Sequence, residues 1–145
     1  MRGAGVVTTT ITRTFEIDMA HCLAQHGGRC HGLHGHRYKV ALTTTGDLHA
    51  EGVEQGMVRD FAHLRTALEA AVGQYDHRCM IAATDPRTPA TVEAFGASVA
   101  VVDFAPTAEN LAAFWGAMLA SLLRPLELVG LTVYETPNCR ATWVP

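Results

Sequence analysis

The sequence predicts an antiparallel α+β domain. Two long stretches alternate apolar and polar residues, two helical stripes each follow a capping residue, and a short alternating segment closes the chain. The 145 residues contain no repeat, linker or low-complexity tract, so residues 1–145 read as a single domain.

In residues 8–21, Ile11, Phe15, Ile17, Met19 and His21 share one face, with Arg13 as the exception. Thr10, Thr12, Thr14, Glu16 and Asp18 share the other, the pattern of a half-buried strand. Residues 22–32 crowd Gly, His and Cys together and read as a loop. A second strand runs over 33–45, with His34, His36, Tyr38, Val40 and Leu42 inward and Arg37, Lys39 and Thr43 outward. Residues 47–56 form a polar turn and 57–59 a short returning strand. Asp60 caps a helix whose apolar side carries Phe61, Leu64, Leu68, Ala71, Val72 and Tyr75. Residues 82–97, with Pro86 and Pro89, read as an excursion, and 98–104 as a strand. Thr107 caps a second helix with Leu111, Phe114, Trp115, Met118 and Leu122 in its stripe, and Pro125 ends it. The last strand, 131–136, puts Leu131, Val133 and Glu135 on one face.

Composition narrows the partners. A net charge of -3 and a pI of about 6.2 provide no basic field for nucleic acid. No apolar run approaches the ~20 residues that span a bilayer. Met1–Thr10 has one Arg and no apolar core, so it does not read as an export signal. Cys22, Cys30, Cys79 and Cys139 are therefore expected as reduced thiols of a cytoplasmic protein.

Five of the eight histidines lie between His21 and His36. On a strand, His34 and His36 project from one face about 6–7 Å apart. His21 lies on the inward face of the preceding strand. Three histidines without a fourth obvious ligand form the pattern of an open, catalytic zinc site, the alternative being histidines satisfied by hydrogen bonds in a wet core. Cys30 has two readings. It is either a fourth ligand closing a structural site, or a base beside the metal, its pKa lowered by the ion and Arg29. Asp76-His77 follows the first helix and gains interest because a Cys base needs a His relay with an orienting carboxylate. Glu135, between inward apolar residues, has two readings: it pairs with a guanidine-like ligand edge through two N–H···O bonds, or it faces water at the strand end. Cys22, Cys79 and Cys139 read as structural thiols. His26, His31, His49 and His63 read as loop or surface groups, with His26 and His31 as substitute ligands.

At this point the motifs resemble a known family. Phe15-Glu16-Ile17-Asp18-Met19-Ala20-His21 is similar to a Phe-x-x-x-Ala-Ala-His opening, and Cys30-x3-His34-Gly35-His36 to a Cys-x3-His-Gly-His core. Met57-Val58-Arg59-Asp60-Phe61, Asp76-His77, Pro106-Thr107-Ala108-Glu109-Asn110, and Val133-Tyr134-Glu135-Thr136 with Ala141-x-Trp143 follow in the family's order, from about residue 11 to 143. The chain thus resembles the 6-pyruvoyltetrahydropterin synthase / 6-carboxytetrahydropterin synthase family. Met19, Tyr75 and Met80-Ile81 depart from its pattern, and residues 83–104 are longer than in compact members.

The resemblance implies a tunnelling fold: a four-stranded antiparallel sheet with two helices on one face. Trimers of such units close a β-barrel and pair into a hexamer with active sites between subunits. It implies zinc on His21, His34 and His36, Cys30 as proton acceptor, Asp76 and His77 as its relay, Glu135 anchoring the pterin and Thr107 helping to hold it. The implied substrate is 7,8-dihydroneopterin triphosphate. The queuosine-pathway branch releases acetaldehyde and 6-carboxy-5,6,7,8-tetrahydropterin, and the animal branch stops at 6-pyruvoyltetrahydropterin. The three-residue gap between Cys30 and His34 resembles the queuosine branch, and Cys30 itself sets the chain apart from a folate-linked branch that carries Glu there. A non-catalytic zinc protein is the distant alternative, and it has no use for Glu135 or Asp76-His77.

Overall fold

The two alternating segments become a long antiparallel pair, β1 (Thr9–His21) and β2 (His34–Gly46), in the computed structural model, which describes residues 8–145. Residues 1–7, the greater part of the segment read as lacking an export signal, lie outside the described residues. The register is unbroken from Thr9 opposite Gly46 to His21 opposite His34. Every second residue of each strand therefore faces the same layer, and the expected inward sets share one side. Ile17, Met19 and His21 from β1, and Tyr38, Val40 and Leu42 from β2, are buried.

Helix α1 (Phe61–Ala71) and helix α3 (Ala108–Leu122) cover that side. Both caps act as their residue types dictate: the Asp60 carboxylate accepts from the Ala62 N–H, and the Thr107 hydroxyl from the Asn110 N–H. Leu64 and Leu68 of α1 and Leu111, Trp115 and Leu119 of α3 are fully buried over the sheet. Phe61 and Leu122, at the ends of the expected stripes, are exposed, because the helix ends overhang the core.

Beyond this hairpin, β5 (Glu127–Thr136) pairs antiparallel with β2, and β6 (Cys139–Trp143) antiparallel with β5. The four antiparallel strands are therefore β1, β2, β5 and β6. The sheet continues on the other side of β1 with β3 (Cys79–Ala82) and β4 (Val99–Val102), both parallel, giving the order β4-β3-β1-β2-β5-β6. The sequence reading contained neither β3 nor β6. Cys79-Met80-Ile81-Ala82 is a short strand with buried residues on both faces, so it shows no alternation. The excursion also holds a helix, α2 (Thr88–Phe95), where Pro89 stands in the first turn, a position proline favours. Residues 57–59 do not form a strand. Instead, His49 N–H donates to the Met57 carbonyl and Gly56 N–H to the His49 carbonyl, closing a compact turn.

The sheet's other side is polar. Thr12 shares a hydrogen bond with Thr43 (2.9 Å), and Thr132 with Thr142 (2.8 Å). The last strand is fixed by close approach. Trp143 lies against α3 at Gly116, where a Cβ would stand 2.2 Å from the indole Cε3. We expect Gly116→Ala to destabilise the fold by about 1–3 kcal/mol through overpacking. Urea denaturation should show a lower midpoint at unchanged slope, and Trp143→Leu in the same chain should restore part of the loss.

Candidate metal centre and active site

The β1–β2 register brings the histidines together. His21 ends β1, His34 opposite it begins β2, and His36 is the next inward side chain. One ligand atom from each lies within 4.8 Å of the others. His21 Nδ1 is 2.7 Å from the Pro106 carbonyl, and His34 Nδ1 is 2.8 Å from that of Gly32. A carbonyl only accepts, so each Nδ1 bears the proton and each Nε2 keeps its lone pair. The two Nε2 atoms stand 3.1 Å apart. Two lone pairs at that distance repel unless a cation or a proton lies between them. His36 Nε2 is buried without a hydrogen-bond partner. Burial pushes the pKa of both His21 and His36 below the ordinary imidazole value, favouring the neutral form that a metal requires. Converging lone pairs, neutral rings and carbonyl-fixed tautomers fit a divalent cation. The trio can hold a metal ion.

Glu135 points into the same space. Its Oε1 is 3.4 Å from His21 Nε2 and 3.7 Å from His36 Nε2. Cys30 sits in a single helical turn, Arg29–His31, and is half-buried; its carbonyl accepts from the Leu23 N–H at 2.8 Å. It does not belong to the ligand group.

Tyr38 was read only as an inward residue, yet it belongs to this neighbourhood. Its ring lies 5.9 Å from that of His21 and 5.5 Å from that of His36, and its buried hydroxyl has no partner. Burial, then the charges of Glu135 and Cys30, push the phenol far above its ordinary pKa, so it stays protonated. The sequence signal was a polar atom on the inward face one step beyond His36.

Asp76 and His77 lie elsewhere in this chain. Asp76 accepts from the Asp18 N–H (2.8 Å) and stands 3.0 Å from His77 Nδ1. That Asp18 N–H bond, above all, lowers the Asp76 pKa. His77 lines a cavity of about 570 Å³ with Asp18, Ala20, Gly35 and Arg37, β1 and β2 residues that alternate away from the three histidines, and with Met19 and His36 of the inward set. No hydrogen bond joins Cys30 to His77 among the described residues. His77 is also the one described non-glycine residue with positive φ, at 57°. That backbone costs on the order of 1 kcal/mol, and such strain concentrates at functional sites. Thr107 caps α3 beside Pro106, the residue that orients His21.

The remaining histidines have local partners. His26 Nδ1 accepts from the Gly28 N–H, His31 Nδ1 bonds the Ala24 carbonyl, and His49 and His63 flank Glu54. Neither His26 nor His31 joins the ligand group. Gly35 pairs with Ala20 on β1, and a Cβ there would meet the Met19 carbonyl at 3.3 Å. All four cysteines are free.

The likeness to known proteins covers nearly the whole chain. The family model described as 6-pyruvoyl tetrahydropterin synthase matches residues 10–145. The 6-carboxy-5,6,7,8-tetrahydropterin synthase of Haemophilus influenzae is 31% identical over 135 residues, covering 88% of this chain and 93% of that protein. The protein of the same name from Aquifex aeolicus is 34% identical over 125 residues, covering 79% and 75%. Among solved structures, an uncharacterized Wolinella succinogenes protein superposes with a TM-score of 0.81 at 24% identity, covering 95% and 98%. The Caenorhabditis elegans 6-pyruvoyl tetrahydropterin synthase superposes with a TM-score of 0.71 at 22%, covering 96% of each. Fold and relatives together define an enzyme of the pterin-synthase class with the tunnelling fold. The chain belongs to the 6-pyruvoyl tetrahydropterin synthase family.

His36→Ala should bind less than a tenth of the metal that the unaltered chain holds, because two imidazoles do not replace three in this geometry. Emission spectrometry after dialysis measures this, and full occupancy in the variant would remove His36 from the ligand set.

Proposed function

We propose that the chain converts 7,8-dihydroneopterin triphosphate to 6-carboxy-5,6,7,8-tetrahydropterin, releasing acetaldehyde and triphosphate, on zinc held by His21, His34 and His36. The observation that carries this reading is the convergence of three imidazole lone pairs beside an inward carboxylate, Glu135, with the Cys30 thiol outside the ligand group. The relatives named for the carboxy product support the choice of product. This reading places the reaction in the cytoplasm and in queuosine, that is 7-deazapurine, biosynthesis.

Bound zinc supplies Lewis acidity that lowers the pKa of substrate hydroxyls. The chain's own residues do the rest. Glu135 accepts paired N–H bonds from the guanidine-like edge of the pterin and fixes the ring. Thr107 adds a polar contact at the ring. Cys30 removes and returns side-chain protons. Asp76 holds the His77 Nδ1–H, which leaves Nε2 to exchange the Cys30 proton. Among the described residues of one chain no hydrogen bond joins Cys30 to His77, and of the three histidines only His36 shares a cavity with His77. The relay is therefore completed by a neighbouring subunit in a homo-hexamer of two barrel-forming trimers.

A second reading uses the same residues without side-chain cleavage and ends at 6-pyruvoyltetrahydropterin. The description of the matching family model favours it. Mass spectrometry of the product after incubation with 7,8-dihydroneopterin triphosphate separates the two. In the same assay Cys30→Ala should retain zinc and lose turnover by roughly 10²–10⁴, the contribution of a positioned acid–base group. Loss of zinc instead would make Cys30 a ligand.

The shared relay has its own test. Cys30→Ala and His77→Gly chains should each be inactive, and glycine accepts the positive φ at residue 77. Co-expressed, they should regain activity, because a mixed oligomer contains sites with Cys30 from one chain and His77 from another. A relay within one chain would leave the mixture as dead as its components.

A further inference from the structure

The excursion between β3 and β4 contains an ion pair, Asp85–Arg87, with a buried carboxylate and a half-buried guanidinium, that the mechanism above does not use. Asp85 is 2% exposed. Its carboxylate accepts from Arg87 three times: Nε to Oδ1 at 2.9 Å, Nη2 to Oδ2 at 2.7 Å, and the backbone N–H to Oδ1 at 2.9 Å. The guanidinium holds the Asp85 pKa down at about 2. The carboxylate also accepts the Cys22 thiol proton, Sγ to Oδ2 at 3.7 Å. The fifth contact leaves the pair: Arg87 Nη1 donates to the His31 carbonyl.

The two outward contacts land at telling places. Cys22 directly follows His21, and His31 directly follows Cys30. Between them, the Leu23 N–H bonds the Cys30 carbonyl at 2.8 Å and draws the loop's two limbs together. The 12 residues that join β1 to β2, 22–33, otherwise hold one another only locally: a turn at Arg29–His31, another where the His26 N–H meets the Leu23 carbonyl, the Ala24–His31 and Gly28–His26 contacts, and the Gly32 carbonyl on His34. An isolated loop of this kind would not hold a thiol to within a fraction of an ångström. Burying the Asp85 carboxylate is unfavourable unless a charge partner of good geometry holds it and its remaining lone pairs are used. Here the fork is bidentate and the spare donor is spent on the loop.

We infer that Asp85 and Arg87 are positioning residues for Cys30: the pair anchors the loop at both limbs and fixes the thiol relative to the three histidines. The inference rests on the proposed role of Cys30. Arginine is needed because its planar fork grips both carboxylate oxygens while Nη1 still faces the His31 carbonyl. A lysine ammonium keeps the charge on Asp85 but does not span the two partners. The excursion thereby helps to position the catalytic thiol.

Arg87→Lys tests the inference directly. It leaves Asp85 paired, so the fold and metal content should match the unaltered chain. kcat with 7,8-dihydroneopterin triphosphate should fall about 10- to 100-fold at unchanged KM, as misplacement of about 1 Å costs a reacting group. Site-resolved alkylation of Cys30 by iodoacetamide, read by mass spectrometry, should change rate by at least threefold. Asp85→Asn with Arg87→Met removes both charges together and should show the same two effects if the single variant misfolds. Unchanged kcat and unchanged Cys30 alkylation would overturn the inference. A rise in KM alone, or loss of metal, would also overturn it, by assigning the pair to substrate binding or to the His21 strand. Alkylation does not depend on the reaction. If the unaltered chain proves inert toward the pterin, a changed Cys30 rate still supports the clamp while the proposed function falls.

Discussion

Everything at the metal end depends on the register of β1 against β2. The ladder runs 13 residues without a bulge, and its last rung sets His21 against His34. A slip of one residue would turn a whole inward set to the opposite face. The core prevents this: Ile17 and Met19 on β1, and Tyr38, Val40 and Leu42 on β2, are buried under α1 and α3. The hydrophobic layer that stabilises the domain therefore also aims three imidazoles at one point. No separate device is needed to choose the side.

Orientation comes from a different source. Burial fixes which way His21 faces but not which nitrogen keeps its lone pair. The Pro106 and Gly32 carbonyls settle that for His21 and His34. Pro106 lies just before the Thr107 cap of α3, so one short segment both starts a helix and sets a tautomer. The low-dielectric surroundings then disfavour protonation of His21 and His36. Glu135 faces the same space from β5, the next strand in the sheet.

Much of this was legible in the residues. Period-two alternation located β1 and β2, and the Asp60 and Thr107 caps located α1 and α3, because these signals are local. The histidine trio was legible for the same reason, since strand geometry alone puts His34 and His36 on one face. What the sequence hid was long-range or lacked periodicity. β3 is buried on both faces and has no polar rhythm. α2 carries Pro89 in its first turn, and a proline reads as a breaker until that place is known. The Asp85–Arg87 pair reaches Cys22 across 63 residues and His31 across 56, distances at which no spacing rule operates. The position of His77, apart from the three histidines, was invisible because it depends on the turn after α1 and a left-handed backbone.

The ligand trio occupies only 16 consecutive residues, from His21 to His36. Closing so short a loop costs little entropy even before the sheet exists. The unfolded chain thus retains some capacity to chelate, and this subtracts from the stability that metal confers on the native state. In exchange, an ion held by the trio before the sheet forms would draw the ends of β1 and β2 together at the His21–His34 rung and so favour the native register.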